Sequence, residues 1–88
     1  MLEELDPIAI ENWCGEVRNI IITENLGVSL SDEALQTATL AMLNDATFRY
    51  NVNIDRADFT VTDDLHSAYW DYVNVEISNF LKRYYRIS

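Results

Sequence analysis

The chain has 88 residues, of which 49 % are hydrophobic and 24 % are charged, and this composition excludes a disordered or fibrous protein. Fifteen acidic residues against six basic ones give a net charge of −9, which disfavours a nucleic-acid backbone or an anionic membrane as a partner. The length predicts a single helical domain over residues 1–88, and area scaling predicts that about 5,300 Å² stays exposed after folding.

The N-terminal residues and the cysteine content indicate the compartment. Glu3, Glu4 and Asp6 stand where a signal peptide needs basic residues and then an apolar run. The single cysteine, Cys14, cannot form an internal disulfide, and no apolar run reaches the roughly 18 residues of a membrane span. We therefore expect a cytoplasmic protein that does not bind membranes.

The first predicted helix covers residues 7–25. Asp6 is a favoured N-cap, Pro7 suits the first helical position, and Gly27 is the expected stop. An apolar stripe at helical spacing follows, made of Ile10, Trp13, Cys14, Val17, Ile20 and Ile21. Gly15 weakens the helix, and one interpretation is that it lets another helix approach closely.

The second predicted helix covers residues 32–56 and opens at Ser31. A polar residue recurs every seven positions at Thr37, Asn44, Asn51 and Asp58, as on one edge of a long, nearly buried helix. Residues 48–54, however, alternate apolar and polar as a strand does. A β-hairpin over residues 48–61, turning at residues 55–58, is therefore the alternative.

The third predicted helix covers residues 63–86. Thr62 can cap it, Asp63 and Asp64 match the positive end of its dipole, and basic residues match the other end. Its main apolar face, which either the rest of the chain or a second molecule must cover, consists of Leu65, Tyr69, Tyr72, Val73, Ile77, Phe80, Leu81 and Tyr84. Lys82 to Arg86 interleaves bases with aromatics as a single-strand binder does, but the helix dipole explains the same residues.

Few side chains are suited to catalysis or to binding a cofactor or metal ion. His66 and Cys14 are each the only residue of their type, and two glycines are too few for a phosphate-binding loop. A calcium register begins at Asn51 but fails at Arg56, where the loop needs glycine, and at Thr62, where it needs glutamate. We predict no enzyme, no cofactor and no metal site.

The predicted partner-binding residues are Tyr69, Trp70, Glu76, Arg83 and Tyr85. Trp70, Val75 and Tyr85 lie off the main apolar face, so they are either covered by the first helix or exposed as interface anchors. Glu76 falls inside the apolar arc with Arg83 two turns further along. It is either paired with a basic side chain of this chain, placed in a subunit or partner interface, or a catalytic or ligand-binding carboxylate.

Residues 20–28 with 31–34, and residues 59–65, resemble the segments that flank the central helix of a histone fold of the transcription-factor type. The resemblance implies a long central helix and a histone-fold-like subunit. From the residues themselves we expect a small acidic interaction module that binds a protein partner, foremost a second copy as a homodimer. The alternative is an acidic mimic of nucleic acid that blocks a nucleic-acid-binding protein.

Overall fold

A computed structural model describes residues 7–28, 31–54, 57–60 and 64–87, and the all-α class is confirmed there. The helices are α1 (Pro7–Thr23), α2 (Asp32–Asn44), α3 (Ala46–Asn51) and α4 (Asp64–Tyr85). The described part of residues 48–61 contains no strand, so the β-hairpin alternative is wrong. The predicted capping roles of Asp6, Thr62 and Asp63 lie outside the described residues.

α1 ends two residues earlier than predicted, because Asn25 and not Gly27 takes the left-handed position of the helix cap. Asn25 has φ 52°, and the Leu26 amide donates to the Ile21 carbonyl at 3.1 Å. The Asn25 amide donates to the Ile22 carbonyl at 3.2 Å, which completes a Schellman cap. Asparagine tolerates this conformation better than other non-glycine residues.

The predicted single helix over residues 32–56 is interrupted at Asp45. Ser31 caps α2 as expected, its hydroxyl accepting from the Ala34 amide at 3.2 Å. Asp45 is extended, with φ −73° and ψ 125°, and its carboxylate accepts from the Phe48 amide at 2.9 Å. An aspartate that satisfies the next helix from its N-cap competes with continuation of the previous one. The long central helix implied by the histone-fold resemblance is therefore absent from this segment.

The bend at Asp45 brings the apolar side chains of α3 into the core. In an uninterrupted helix Phe48 and Val52 would point away from the face that buries Leu35 and Met42. In the bent chain Phe48 and Val52 are both buried, at 0 % and 2 % exposed. The alternation that suggested a strand thus arises from a short helix and the extended residues that follow it.

The helices pack around one hydrophobic core. α1, α2 and α4 contact one another, and α3 packs against α2 and α4. The largest fully buried side chains come from all four helices and include Trp13, Phe48, Leu35, Met42, Ile77 and Leu81. The exposed area is 5733 Å², close to the predicted value. With 22 residues, about 33 Å of helix, α4 runs the length of a molecule that measures 31 × 28 × 22 Å.

Candidate protein interaction surface

Two of the predicted partner-binding residues, Tyr69 and Trp70, belong to an aromatic cluster inside the fold. Tyr69 is 9 % exposed, and its hydroxyl donates to the Asn53 carbonyl at 2.8 Å. Trp70 is half-buried, with its ring centroid 5.6 Å from Trp13 and 5.0 Å from Phe59. Trp70 was expected to be either covered by the first helix or exposed, and it is partly covered by Trp13 of α1. Partner binding by Tyr69 and Trp70 stays a prediction.

His66 connects this aromatic cluster to the loop before α4. The Trp70 indole donates to His66 Nε2 at 2.7 Å, and the same nitrogen contacts the Asp58 carbonyl. Without a proton, His66 Nε2 accepts a hydrogen bond from the Trp70 indole. With a proton, it donates one to the Asp58 carbonyl. The His66 ring is therefore buried, with 8 % of its surface exposed, and it contacts both α4 and the loop before it.

The carboxylate of Asp58 is held in its charged form by the same loop. The Thr60 hydroxyl and then the Thr60 amide donate to it, at 2.7 and 2.9 Å, and these bonds lower the pKa of Asp58, with a smaller contribution from nearby His66. Because the folded-state pKa of Asp58 is lowered, its hydrogen bonds with Thr60 stabilise the fold fully at pH values above the unfolded-state pKa. This stabilisation is lost as the pH falls through the folded-state pKa of Asp58.

Glu76 lies half-buried beside α3, where a neutral side chain of this chain reaches it. The Asn51 amide donates to Glu76 Oε1 at 3.2 Å. Arg83, two turns further along α4, contacts Asp45 at 3.4 Å and lies over the Phe80 ring at 5.6 Å. Glu76 and Arg83 therefore contact the α2–α3 side of the fold at two separate points.

Tyr85 is half-buried at the end of α4. Burial raises the pKa of its hydroxyl, with a further contribution from Tyr84, whose ring centroid is 4.9 Å away. Of the five predicted partner-binding residues, only Arg83 is exposed.

The outward side of α4 carries an apolar line that joins residues of the predicted apolar face to Val75, which the sequence placed off that face. Leu65, Tyr72 and Val75 are 78 %, 47 % and 56 % exposed, and Ala68 is exposed between them. Leu65, Tyr72 and Tyr84 were placed on the main apolar face, but the rest of the chain leaves all three exposed, Tyr84 at 41 %. Cover of this face by a second molecule stays a prediction. We call Leu65, Ala68, Tyr72 and Val75 the outer stripe.

A seven-residue repeat is the sequence signal that identifies the outer stripe. Leu65 and Tyr72 are seven apart, as are Ala68 and Val75. This alternating spacing of three and four residues is that of a helix seam that faces another helix. The buried face of α4 follows its own three-four spacing through Tyr69, Val73, Ile77 and Phe80, so α4 has two apolar faces.

Charge on the exposed side of α4 changes sign along the helix. Asp64 and Asp71 are exposed in the half that carries the outer stripe. Lys82, Arg83 and Arg86 follow at the other end. Lys82 contacts Glu24, the residue that follows α1, at 3.9 Å, and both side chains of this ion pair remain well exposed.

A groove of about 760 Å³ runs between α1 and α2. Apolar side chains, including Ile10 and Leu35, line it together with Cys14 and Gly15, and an ion pair of 3.2 Å between Arg18 and Asp32 lies within it. Apart from the two neighbouring residues and the backbone of α1 itself, no atom of the described residues lies within 4 Å of where a Cβ on Gly15 would stand. The interpretation that Gly15 lets another helix of this chain approach closely is therefore wrong.

Among the described residues, no three His, Cys, Asp or Glu side chains converge closely enough to hold a metal ion. In the same part of the chain, no helix has both the length and the apolar character required to cross a bilayer. Comparisons of this chain with protein-family models, with curated proteins and with solved structures found no significant match.

Proposed function

We propose that this chain is a small self-associating protein interaction module whose contact surface is the outer stripe of α4. The observation that carries the proposal is the exposure of Leu65, Tyr72 and Val75 along one line of the longest helix. Contiguous exposed apolar side chains are typical of protein interaction sites. A second copy presents the same line, so a two-fold pairing buries both at once.

The packing beneath the outer stripe supports this role. α4 is held from behind by buried Val73, Ile77 and Leu81, each at 0 % exposed. An interface on a rigid helix loses little conformational entropy on binding. In this proposal the predicted residues Tyr69 and Trp70 act from inside the fold by fixing the helix, and Arg83 lies at the end of the exposed face. Cys14, a free cysteine, supports a cytoplasmic location as part of the proposal.

The test compares the solution mass of the native chain with that of the double variant Tyr72→Ser plus Val75→Ser. We expect the native chain to have twice its 10.2 kDa mass at micromolar concentration, in low and in moderate salt. Apolar contacts are not screened, whereas binding through acidic groups weakens steeply with salt. The double variant should raise the dissociation constant by about tenfold or more, as loss of an aromatic interface residue does.

The matched control is the double variant Ile8→Ser plus Tyr50→Ser. Ile8 is 73 % exposed on α1 and Tyr50 is 91 % exposed on α3, so the control removes similar apolar surface from other helices. It should leave the mass unchanged. A native monomer, or equal dissociation of the two double variants, would refute the proposal. Circular dichroism of each variant confirms that the helices are retained.

A further inference from the structure

The outward side of α4 is asymmetric along its length in both charge and apolarity. The outer stripe and the exposed acids Asp64 and Asp71 occupy residues 64–75, and Lys82, Arg83 and Arg86 occupy the other end. About 26 Å of helix separates Leu65 from Lys82. A helix with opposite charges at its two ends distinguishes between the two orientations of an identical partner.

We propose that two copies of this chain pair through α4 in antiparallel orientation, with the two-fold axis passing between Tyr72 and Val75. This inference rests on the proposed function, since it assigns the orientation and register of the same self-association. It adds a role for the basic end of α4, which contacts the acidic start of the partner's α4.

The charges disfavour the parallel arrangement. Parallel pairing in register places Asp64 beside the partner's Asp64 and Lys82 beside the partner's Lys82. Both contacts are between like charges, which disfavour a coiled pairing of helices. In a chain whose net charge is already −9, an additional acid-acid contact opposes association further.

The antiparallel arrangement has one register that matches both apolarity and charge. With Tyr72 opposite the partner's Val75, the helix rise sets Asp64 level with the partner's Arg83 and one residue from the partner's Lys82. Leu65 then lies opposite the partner's Lys82, whose aliphatic stem can cover it while the ammonium stays in water. Lys82 is available for this contact because its 3.9 Å ion pair with Glu24 is loose and exposed.

The neighbouring antiparallel register is disfavoured by Asp71. A shift of one heptad places Leu65 opposite the partner's Val75, which overlaps more of the outer stripe. It also brings the two Asp71 side chains together on one flank of the pair at the two-fold axis. With the axis between Tyr72 and Val75, Asp71 is level with the partner's Glu76, which lies on the opposite flank of the pair, and the two Asp71 side chains are offset by five residues, about 7.5 Å of helix, which reduces their repulsion.

Cross-linking of exposed single cysteines tests the orientation. Two variants are made in a Cys14→Ser background, one with Asp64→Cys and one with Lys82→Cys. They are mixed in equal amounts and treated with a bis-maleimide that spans about 10 Å, the distance between packed helix axes. The two exposed substitutions should leave the helices intact, which circular dichroism checks.

We expect the main cross-linked product to join the two different variants, as identified by mass spectrometry. A main product that joins Asp64→Cys to itself would overturn the antiparallel orientation while leaving self-association standing. A dimer by light scattering that gives no cross-link between these positions would overturn the register. A native monomer at the same concentration would instead refute the proposed function.

Discussion

Asp45 is the residue that decides the path of the central part of the chain. Its carboxylate accepts from the Phe48 amide at the start of α3 and contacts Arg83 of α4 at 3.4 Å. Arg49 donates to the Leu43 carbonyl at 2.9 Å, which satisfies a group left free at the end of α2. The bend is therefore stabilised on both sides by side-chain hydrogen bonds.

Replacement of Asp45 by alanine should lower the free energy of unfolding by about 1 kcal/mol, the usual effect of losing an N-cap. The half-exposed pair with Arg83 adds little to that loss, because exposed ion pairs contribute about 0–1 kcal/mol. Urea denaturation measures the change. Asp45→Asn is the control, since asparagine caps as well as aspartate, and it should retain most of the stability. Equal losses in both variants would show that charge, and not capping, holds the bend.

At the scale of the element, α1 and the residues that follow it contain two glycines in different conformations. Gly15 lies in the middle of the helix, with open space where a Cβ would stand. Gly27 follows the helix with φ 72°, a left-handed conformation that side chains adopt at a cost. The same substitution should therefore have opposite effects at the two positions.

Gly15→Ala should raise the free energy of unfolding by about 0.5–1 kcal/mol, because alanine restricts the unfolded chain and favours the helix. Gly27→Ala should lower it by about 1–2 kcal/mol, the cost of the left-handed conformation for a side chain. Thermal and urea unfolding of the two variants give the signs directly. A loss of stability in Gly15→Ala would mean that the α1–α2 groove closes around this position in solution.

At the scale of the whole molecule, the net charge of −9 acts across the entire fold. The molecule measures 31 × 28 × 22 Å, and the Debye length is roughly 30 Å at 0.01 M salt and about 8 Å at 0.15 M. At low salt each acidic group is therefore repelled by the others across the molecule. Three exposed ion pairs are found in the described residues, and they offset little of this repulsion.

The free energy of unfolding should therefore rise when NaCl is increased from low to physiological concentration. The measurement is urea unfolding of the Tyr72→Ser plus Val75→Ser variant, in which association does not contribute. Adding Glu11→Lys and Asp71→Lys changes the charge by two at each exposed site, from −9 to −5, and should weaken the salt dependence. A fall in stability with salt would show that attractive pairs outweigh the net repulsion.

The sequence by itself determined the helical class, the N-cap at Ser31 and the approximate extents of the first and last helices. These depend on contacts within a few residues of the chain, such as capping and the three-four spacing of apolar side chains. The break at Asp45 was missed because alternation and helical spacing were both present there. Burial of Phe48 and Val52 against the other helices selects the bend, and the Asp45 cap stabilises it.

Tertiary structure alone decided which of the two apolar faces of α4 is covered. Leu65 and Tyr72 lie about a third of a turn from the line that α1, α2 and α3 contact, and hydrophobicity is the same on both sides of that line. Trp70 is covered by Trp13, whereas Val75 stays exposed, because α1 reaches one side of α4 and no other helix of the described ranges covers the opposite side. Local sequence predicts that a face is apolar, but only the packing of distant segments decides whether it is buried.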